Sequence, residues 1–217
     1  MISSVICYSS KINTNTEKEH WLNRAAQSLA EALRMTVSGE LDIEFTGLVT
    51  GCRIHRNGLK TCTDIYIYGS LSSSAGYAVG VMEKIPSLLK RIEQGLSACD
   101  CAGACHKSLK HYRNQHIHGM LDRFYALQLL RWGMYGVAAD PVGIREQREY
   151  ISALENILGE YGCRVSYSGD SVTVNGRCIE VYPAMWLEPA ERGKIFVSDA
   201  YMRFSKPYAV HKIIAEC

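Results

Sequence analysis

Apolar residues recur every three or four positions across residues 16–36. Trp21, Ala25, Leu29 and Leu33 fall four apart, Leu22 and Ala26 stand beside them, and Arg24, Gln27 and Glu31 lie off that stripe. A period near 3.6 predicts an amphipathic helix. Thr16 followed by Glu19 fits a capping box at its start, and Ser38-Gly39 fits its end. The period then drops toward two. LDIEFTGLVT (41–50) and CTDIYIY (62–68) read as strands, and Asn57-Gly58 between them is a hairpin-turn signal. After the small-residue turn SLSSSAGYA (70–78), helical spacing returns at Val81, Ile85, Leu88, Ile92 and Leu96, with Pro86 set to bend or divide the helix. A third helix is predicted over residues 117–132, with Ile117, Leu121, Phe124 and Leu127 inward.

WGMYGVAADP (132–141) is glycine-bearing and aperiodic, so it marks a boundary between two expected domains, residues 1–136 and 137–217. Asp140-Pro141 reads as an N-cap and first-turn proline. The helix they open, over residues 142–159, carries Ile144, Ile151, Leu154 and Leu158 on one side. CRVSYSGDSVTVNGRCIEVY (163–182) alternates and holds a second Asn-Gly turn at 175–176. KIFVSDA (194–200) is a further strand and PYAVHKIIAEC (207–217) a closing helix. The second domain is therefore expected to be a small α+β unit.

Composition narrows the picture. With 217 residues, 47% of them apolar, the chain buries a sizeable core. A net charge of +2 means that any basic surface is local. No apolar run approaches the roughly 20 residues of a membrane span. MISSVICYSS lacks a charged start followed by an apolar stretch, so a cytoplasmic, reducing location is expected. There, a local cluster among the nine cysteines points to metal or catalysis rather than to disulfides. The residues contain no GxxxxGK[ST] loop, no GxGxxG after a strand, no HExxH and no GxSxG, so they form no self-contained nucleotide-driven motor.

CDCAGACHKSLKHYRNQ (99–115) concentrates the chemistry. Cys99, Cys101 and Cys105 sit within seven residues, close enough to converge on a zinc ion, which favours four N or S ligands in a tetrahedron. Gly103 offers backbone freedom to such a ligand loop. Two other readings stay open: thiols that merely pack, and a nucleophilic Cys105 beside His106. From His106 to Arg131 the chain carries Lys107, Lys110, Arg113, Arg123 and Arg131, with His106, His111, His116 and His118, against one acid, Asp122. Such a run neutralises phosphates and releases counterions. Tyr112 is placed to stack on an exposed base. A solvated helix face is the alternative, and Asn114 and Gln115 equally suit chain-end capping. Arg53, His55, Arg56 and Lys60 form a second basic tip. In the second domain, Asp170 and Glu180 resemble the acidic pair of a Mg²⁺-dependent nuclease, but Tyr182 stands where that pattern needs a lysine. A non-catalytic docking unit is expected, with reduced Cys163 and Cys178 near each other across the hairpin.

The stretch CDCAGACHKSLKHYRNQHIHGMLDRFYALQLL resembles the zinc-binding MZB module found C-terminal to certain superfamily 2 DNA helicases. That family includes the Mrf-type repair helicases and the DrmB-like proteins of DISARM phage defence. Its pattern is a cysteine cluster, an aromatic-x-Asn-Gln step matched by Tyr112, Asn114 and Gln115, and a helix opening matched by Leu121, Asp122, Arg123 and Ala126. IYIYGSLSSSAGYA (65–78) is similar to the family's strand, turn and helix start, so the resemblance covers residues 16–132. Two positions depart from it. Ser108 stands where the family has a fourth cysteine, and Ser73 and Ser74 replace a glycine pair. The resemblance implies an α+β fold: amphipathic helices on a small sheet with a Cys-rich zinc knuckle, followed by the small α+β unit. It implies Zn²⁺ on Cys99, Cys101, Cys105 and His106, with His111, Cys52, Cys62 or water as other fourth ligands, or else a metal-free site. It further implies a non-catalytic accessory subunit, or a C-terminal piece of a longer chain, that docks on a superfamily 2 helicase. DNA binding would run through Lys107, Lys110, Arg113 and Arg123, in phage defence or DNA repair. A Mg²⁺-dependent nuclease using Asp170 and Glu180, and a purely structural interaction scaffold, are the alternatives.

Overall fold

A computed structural model describes residues 2–4, 16–42, 44–57, 60–69 and 75–217. The chain divides into two units, Met1–Ala138 and Ala139–Cys217. The expected turn residue Gly58, the serines at 73–74 and the Thr16/Glu19 side chains lie outside what is described.

In the first unit, helix α1 (Thr16–Glu40) buries Trp21, Ala25, Ala26, Leu29, Leu33 and Val37 along the predicted stripe. Ser38-Gly39 does not stop it; the helix continues to Glu40. Strands β2 (Leu48–Asn57) and β3 (Lys60–Gly69) form an antiparallel hairpin paired as far as Asn57↔Lys60. Strand β1 (Ile2–Ser4) lies on the other side of β3. The strand expected over 41–50 begins only at Leu48. Before it, Asp42 takes a positive φ of 51° and Phe45–Gly47 form one 3-10 turn, which breaks extended backbone. The basic residues at 53–57 therefore belong to a strand, not a loop.

Helix α2 (Ala75–Ala98) is not divided by Pro86, which stands exposed inside a single helix. Val81, Leu88, Ile92 and Leu96 are buried as expected. Helix α3 (Arg123–Tyr135) starts later than predicted, because Tyr112–Ile117 forms a 3-10 turn instead. Asp122 caps α3 by accepting from the Tyr125 amide, and Gly136 ends it in the left-handed region, φ 68°. This start shifts the inward face. Leu121, Tyr125, Ala126, Leu129 and Leu130 are buried, whereas Phe124 is exposed beneath the Arg123 guanidinium, 3.9 Å from its ring centre. Helix α1 packs on α3 through an edge contact of Trp21 with Tyr125 and an indole donation to Gln128 Oε1 at 3.0 Å.

The second unit sets helices α4 (Ile144–Ser152) and α5 (Glu155–Glu160) before strands β4 (Val165–Ser168), β5 (Ser171–Val174), β6 (Arg177–Tyr182) and β7 (Lys194–Ser198). Helices α6 (Asp199–Phe204) and α7 (Lys206–Glu216) close it. The sheet order is β4-β5-β6-β7, antiparallel except for the parallel β6–β7 pair. Asn175 and Gly176 both have positive φ, 50° and 81°, the requirement of a type I′ hairpin turn. Ile151, Leu158, Val174, Ile195, Val197 and Ile213 lie at the centre of its core. Two expectations change. Gly143, not Asp140, precedes the first helix, and that helix breaks at Ala153-Leu154. The strand at 194 ends at Ser198, whose hydroxyl accepts from Tyr201 N and opens α6. Among the described residues no helix is long and apolar enough to cross a membrane.

Candidate metal centre

The segment between α2 and α3 draws three thiols together. Cys99, Cys101 and Cys105 present sulfurs that lie within 4.8 Å of one another. Cys99 Sγ is 3.3 Å from Cys101 Sγ and 3.6 Å from Cys105 Sγ. The loop's shape comes from its backbone: the Cys105 carbonyl accepts from the amides of Ser108, Leu109 and Lys110 at 3.1, 2.9 and 2.9 Å. Leu109 is fully buried beneath that turn. Gly103 is not in the left-handed region, and a Cβ there would make only an ordinary contact with Asp122 at 3.5 Å, so the expected demand for glycine is absent.

Thiols this close cannot all ionise without a cation, because like charges oppose one another. The hydrogen bond from the Ser108 hydroxyl leads the causes that lower Cys105 to about 6. For Cys99, a backbone hydrogen bond at Cys101 pulls down, but the thiols of Cys101 and Cys105 together with burial carry it upward overall. A soft divalent cation would offset the repulsion within such a set and favour loss of its thiol protons. A tetrahedron with sulfur bonds of roughly 2.3 Å has edges of about 3.8 Å, which the observed separations approach. The donor set fits zinc, with Cys99, Cys101 and Cys105 as its holders.

The fourth position departs from expectation. His106 is exposed, its ring lies 6.1 Å from that of His118, and it does not join the converging group. His111 is engaged with Glu31 at 2.6 Å, and Cys52 and Cys62 lie on β2 and β3. The buried Ser108 instead points its Oγ at the sulfurs, 3.5 Å from Cys105 and 3.7 Å from Cys101.

A buried polar network ties the knuckle to the helices. Asn114 accepts from the His111 amide at 2.9 Å and donates to Leu109 O at 2.9 Å and Glu31 Oε2 at 3.2 Å. His118 Nε2 donates to Asn114 Oδ1 at 2.8 Å. The Asp122 amide donates to Ser28 Oγ on α1 at 2.8 Å. Glu31, read from sequence as lying off the helix stripe, is buried and pairs across 80 positions with His111. The available signal was Ser28 and Glu31, spaced three apart among buried alanines.

The basic residues sort into two kinds. Lys107 and Arg113 are exposed, Lys110 is half-buried, and Tyr112 stands out at 84% exposure beside exposed Gln115 and His116. Arg34 of α1 lies close enough that Arg113 adds to the lowering that burial imposes on it. Arg123 corrects the expectation of a phosphate contact. It is buried, and it donates to the carbonyls of Cys101 at 2.8 Å and Leu96 at 3.0 Å. On β2, Arg53 and His55 both face Asp64, at 2.8 and 3.4 Å, which offsets that second basic tip. An open cavity of about 610 Å³ beside them is lined by His20, Asn23, Arg24, Ile54, His55, Thr61 and Met120.

In the second unit, Asp170 lies exposed in the β4–β5 turn, and Glu180 on β6 pairs with Lys194 of β7 at 3.5 Å. Lys194 also holds Glu191 at 2.8 Å, and Tyr182 is buried. Cys163 and Cys178 are free thiols, and burial, then the neighbouring Cys163, push the Cys217 thiol up to about 11.

Residues 8–108 match the family model described as the MrfA Zn-binding domain, MZB. Among curated proteins, the chain is similar to the Druantia protein DruE of Escherichia coli (strain UMEA 4076-1). The two are 28% identical over 202 residues, which cover 84% of this chain and 11% of that protein. The chain thus spans a small fraction of that relative's length. Among solved structures it is similar to the DUF1998 helicase MrfA bound to DNA, with a TM-score of 0.40 and 17% identity over 55% of this chain and 15% of that one.

Proposed function

We propose that this chain, which carries an MZB-type zinc-binding module over residues 8–108, is a zinc-stapled accessory part of a superfamily 2 DNA-helicase system. It docks on the motor and contributes to DNA binding without catalysis of its own, in the cytoplasm, in phage defence or DNA repair. The observation that carries the reading is the knuckle's two-sided build. Inward, three thiols converge within residues 99–123, and Asn114 and Arg123 fasten that segment to α1 and α2. Outward, the same segment presents Lys107, Arg113 and Tyr112 on a rigid turn.

Zinc supplies a cross-link that fixes the turn. The protein's own side chains do the rest: cations meet phosphates, and the exposed phenol ring offers a stacking surface to an unpaired base. Fluorescence anisotropy of the zinc-loaded chain with single- and double-stranded DNA over a salt series tests this. Lys107→Glu, Lys110→Glu and Arg113→Glu together are expected to weaken binding and flatten the salt slope. An unchanged affinity and slope would refute DNA binding by this surface.

A second reading, a Mg²⁺-dependent nuclease on Asp170 and Glu180, gains one observation. Lys194 brings to Glu180 the cation that the sequence lacked two residues beyond it. Mg²⁺-dependent cleavage of labelled DNA that disappears in Glu180→Ala would establish it; absence of cleavage in the parent chain would remove it.

A further inference from the structure

We infer that Ser108 holds the fourth corner of the knuckle's metal as a neutral oxygen donor, giving three thiolates and one hydroxyl where the family has four thiolates. The inference rests on the zinc reading above and goes beyond it in naming the ligand.

Three observations carry it. The first is metric. Sulfur bonds of roughly 2.3 Å and oxygen bonds of roughly 2.0–2.2 Å give a tetrahedron whose sulfur–oxygen edges are about 3.5 Å. Ser108 Oγ stands 3.5 Å from Cys105 Sγ and 3.7 Å from Cys101 Sγ. The second is orientation. A hydroxyl has one proton and two lone pairs. Ser108 accepts from the Cys105 amide at 3.0 Å and donates to the Cys105 carbonyl at 3.3 Å. Without a metal that single proton also serves the Cys105 sulfur, 3.5 Å away. With a cation on the thiolates it would turn to the Cys105 carbonyl, leaving one lone pair toward the sulfur side. The third is elimination: among the described residues, no histidine or carboxylate and no further cysteine joins the three converging thiols.

A neutral donor changes the site's character. Zinc with three thiolates carries one net negative charge, where four would leave two. The hydroxyl also donates less electron density than a thiolate, so the fourth position exchanges readily and the metal is held less tightly.

The test loads the full chain with Co²⁺. It compares visible spectrum and metal affinity, by competition with a chromogenic chelator, for the parent, Ser108→Cys and Ser108→Ala. The parent is expected to show the tetrahedral and charge-transfer absorption of three thiolates. Ser108→Cys should raise the charge-transfer intensity by about one third and tighten binding by about tenfold or more. Ser108→Ala should loosen binding by about tenfold and shift the ligand-field bands. A four-thiolate spectrum in the parent, or an alanine variant identical to it in spectrum and affinity, overturns the inference. The zinc content of the parent purified without chelator separates the two failures. No zinc there sinks the zinc reading and the inference together, whereas full zinc with an unaltered Ser108→Ala sinks only the serine. Should the alanine variant fail to fold by circular dichroism, Ser108→Cys decides alone: an unchanged thiolate count and affinity in it overturns the inference.

Discussion

Arg123 shows how a charge is converted from a surface signal into a structural one. Its guanidinium is the donor for two carbonyls, one from the end of α2 and one from the ligand loop. Removing it leaves both oxygens buried without their partner. Arg123→Met is therefore expected to cost about 2–3 kcal/mol, read as a lower urea midpoint, with the salt slope of DNA binding unchanged. In sequence this arginine looked like its neighbours Lys107 and Arg113, because charge runs carry no mark of burial. Glu31 was hidden for the same reason, its partner lying 80 positions away. At Cys52 burial lifts the thiol from 9.0 to about 11. The folded protein then keeps a proton that the unfolded chain has already lost. That contribution to stability is whole below about pH 9 and disappears as pH rises through 11. Cys52→Val should flatten this alkaline decline in denaturation midpoints relative to the parent.

At the scale of elements, helix boundaries were decided by caps rather than by apolar spacing. Asp122 starts α3 by accepting from Tyr125 N at 3.0 Å, six residues beyond the predicted start. The shift of phase moved Tyr125 inward and Phe124 outward. Asp122→Ala is expected to lose about 1 kcal/mol of stability through the missing cap, measurable by thermal melting with metal held constant. Strand pattern was read more faithfully where turn chemistry was explicit, as at Asn175-Gly176. It failed at 41–47, where Asp42's positive φ turns an apparently alternating segment away from the sheet. Pro86 broke no helix, since its exposed position lets the surrounding turns of α2 continue.

For the molecule as a whole, each unit has its own buried centre, Trp21 and Tyr125 among the residues of one, Ile195 and Ile213 among those of the other. The second contains none of the three converging thiols. A chain of residues 139–217 alone is accordingly expected to melt cooperatively, with a midpoint indifferent to chelator. In the full protein, chelation should lower only the transition of the first unit, by the mass-action stabilisation that bound metal confers. Circular dichroism melts of both species, with and without chelator, check this. Large apolar stripes made the two cores readable from sequence. The site was readable only as a cluster of cysteines, because its fourth corner depends on where a serine side chain points.

The Cys105 carbonyl, gathering three amides within 3.1 Å, has a calorimetric consequence. A chelating loop shaped by its own backbone needs little reorganisation when an ion arrives. Metal uptake should then proceed with a heat-capacity change near zero, unlike the strongly negative change that accompanies folding on binding. Titration calorimetry at several temperatures would display that difference as a nearly flat line of enthalpy against temperature.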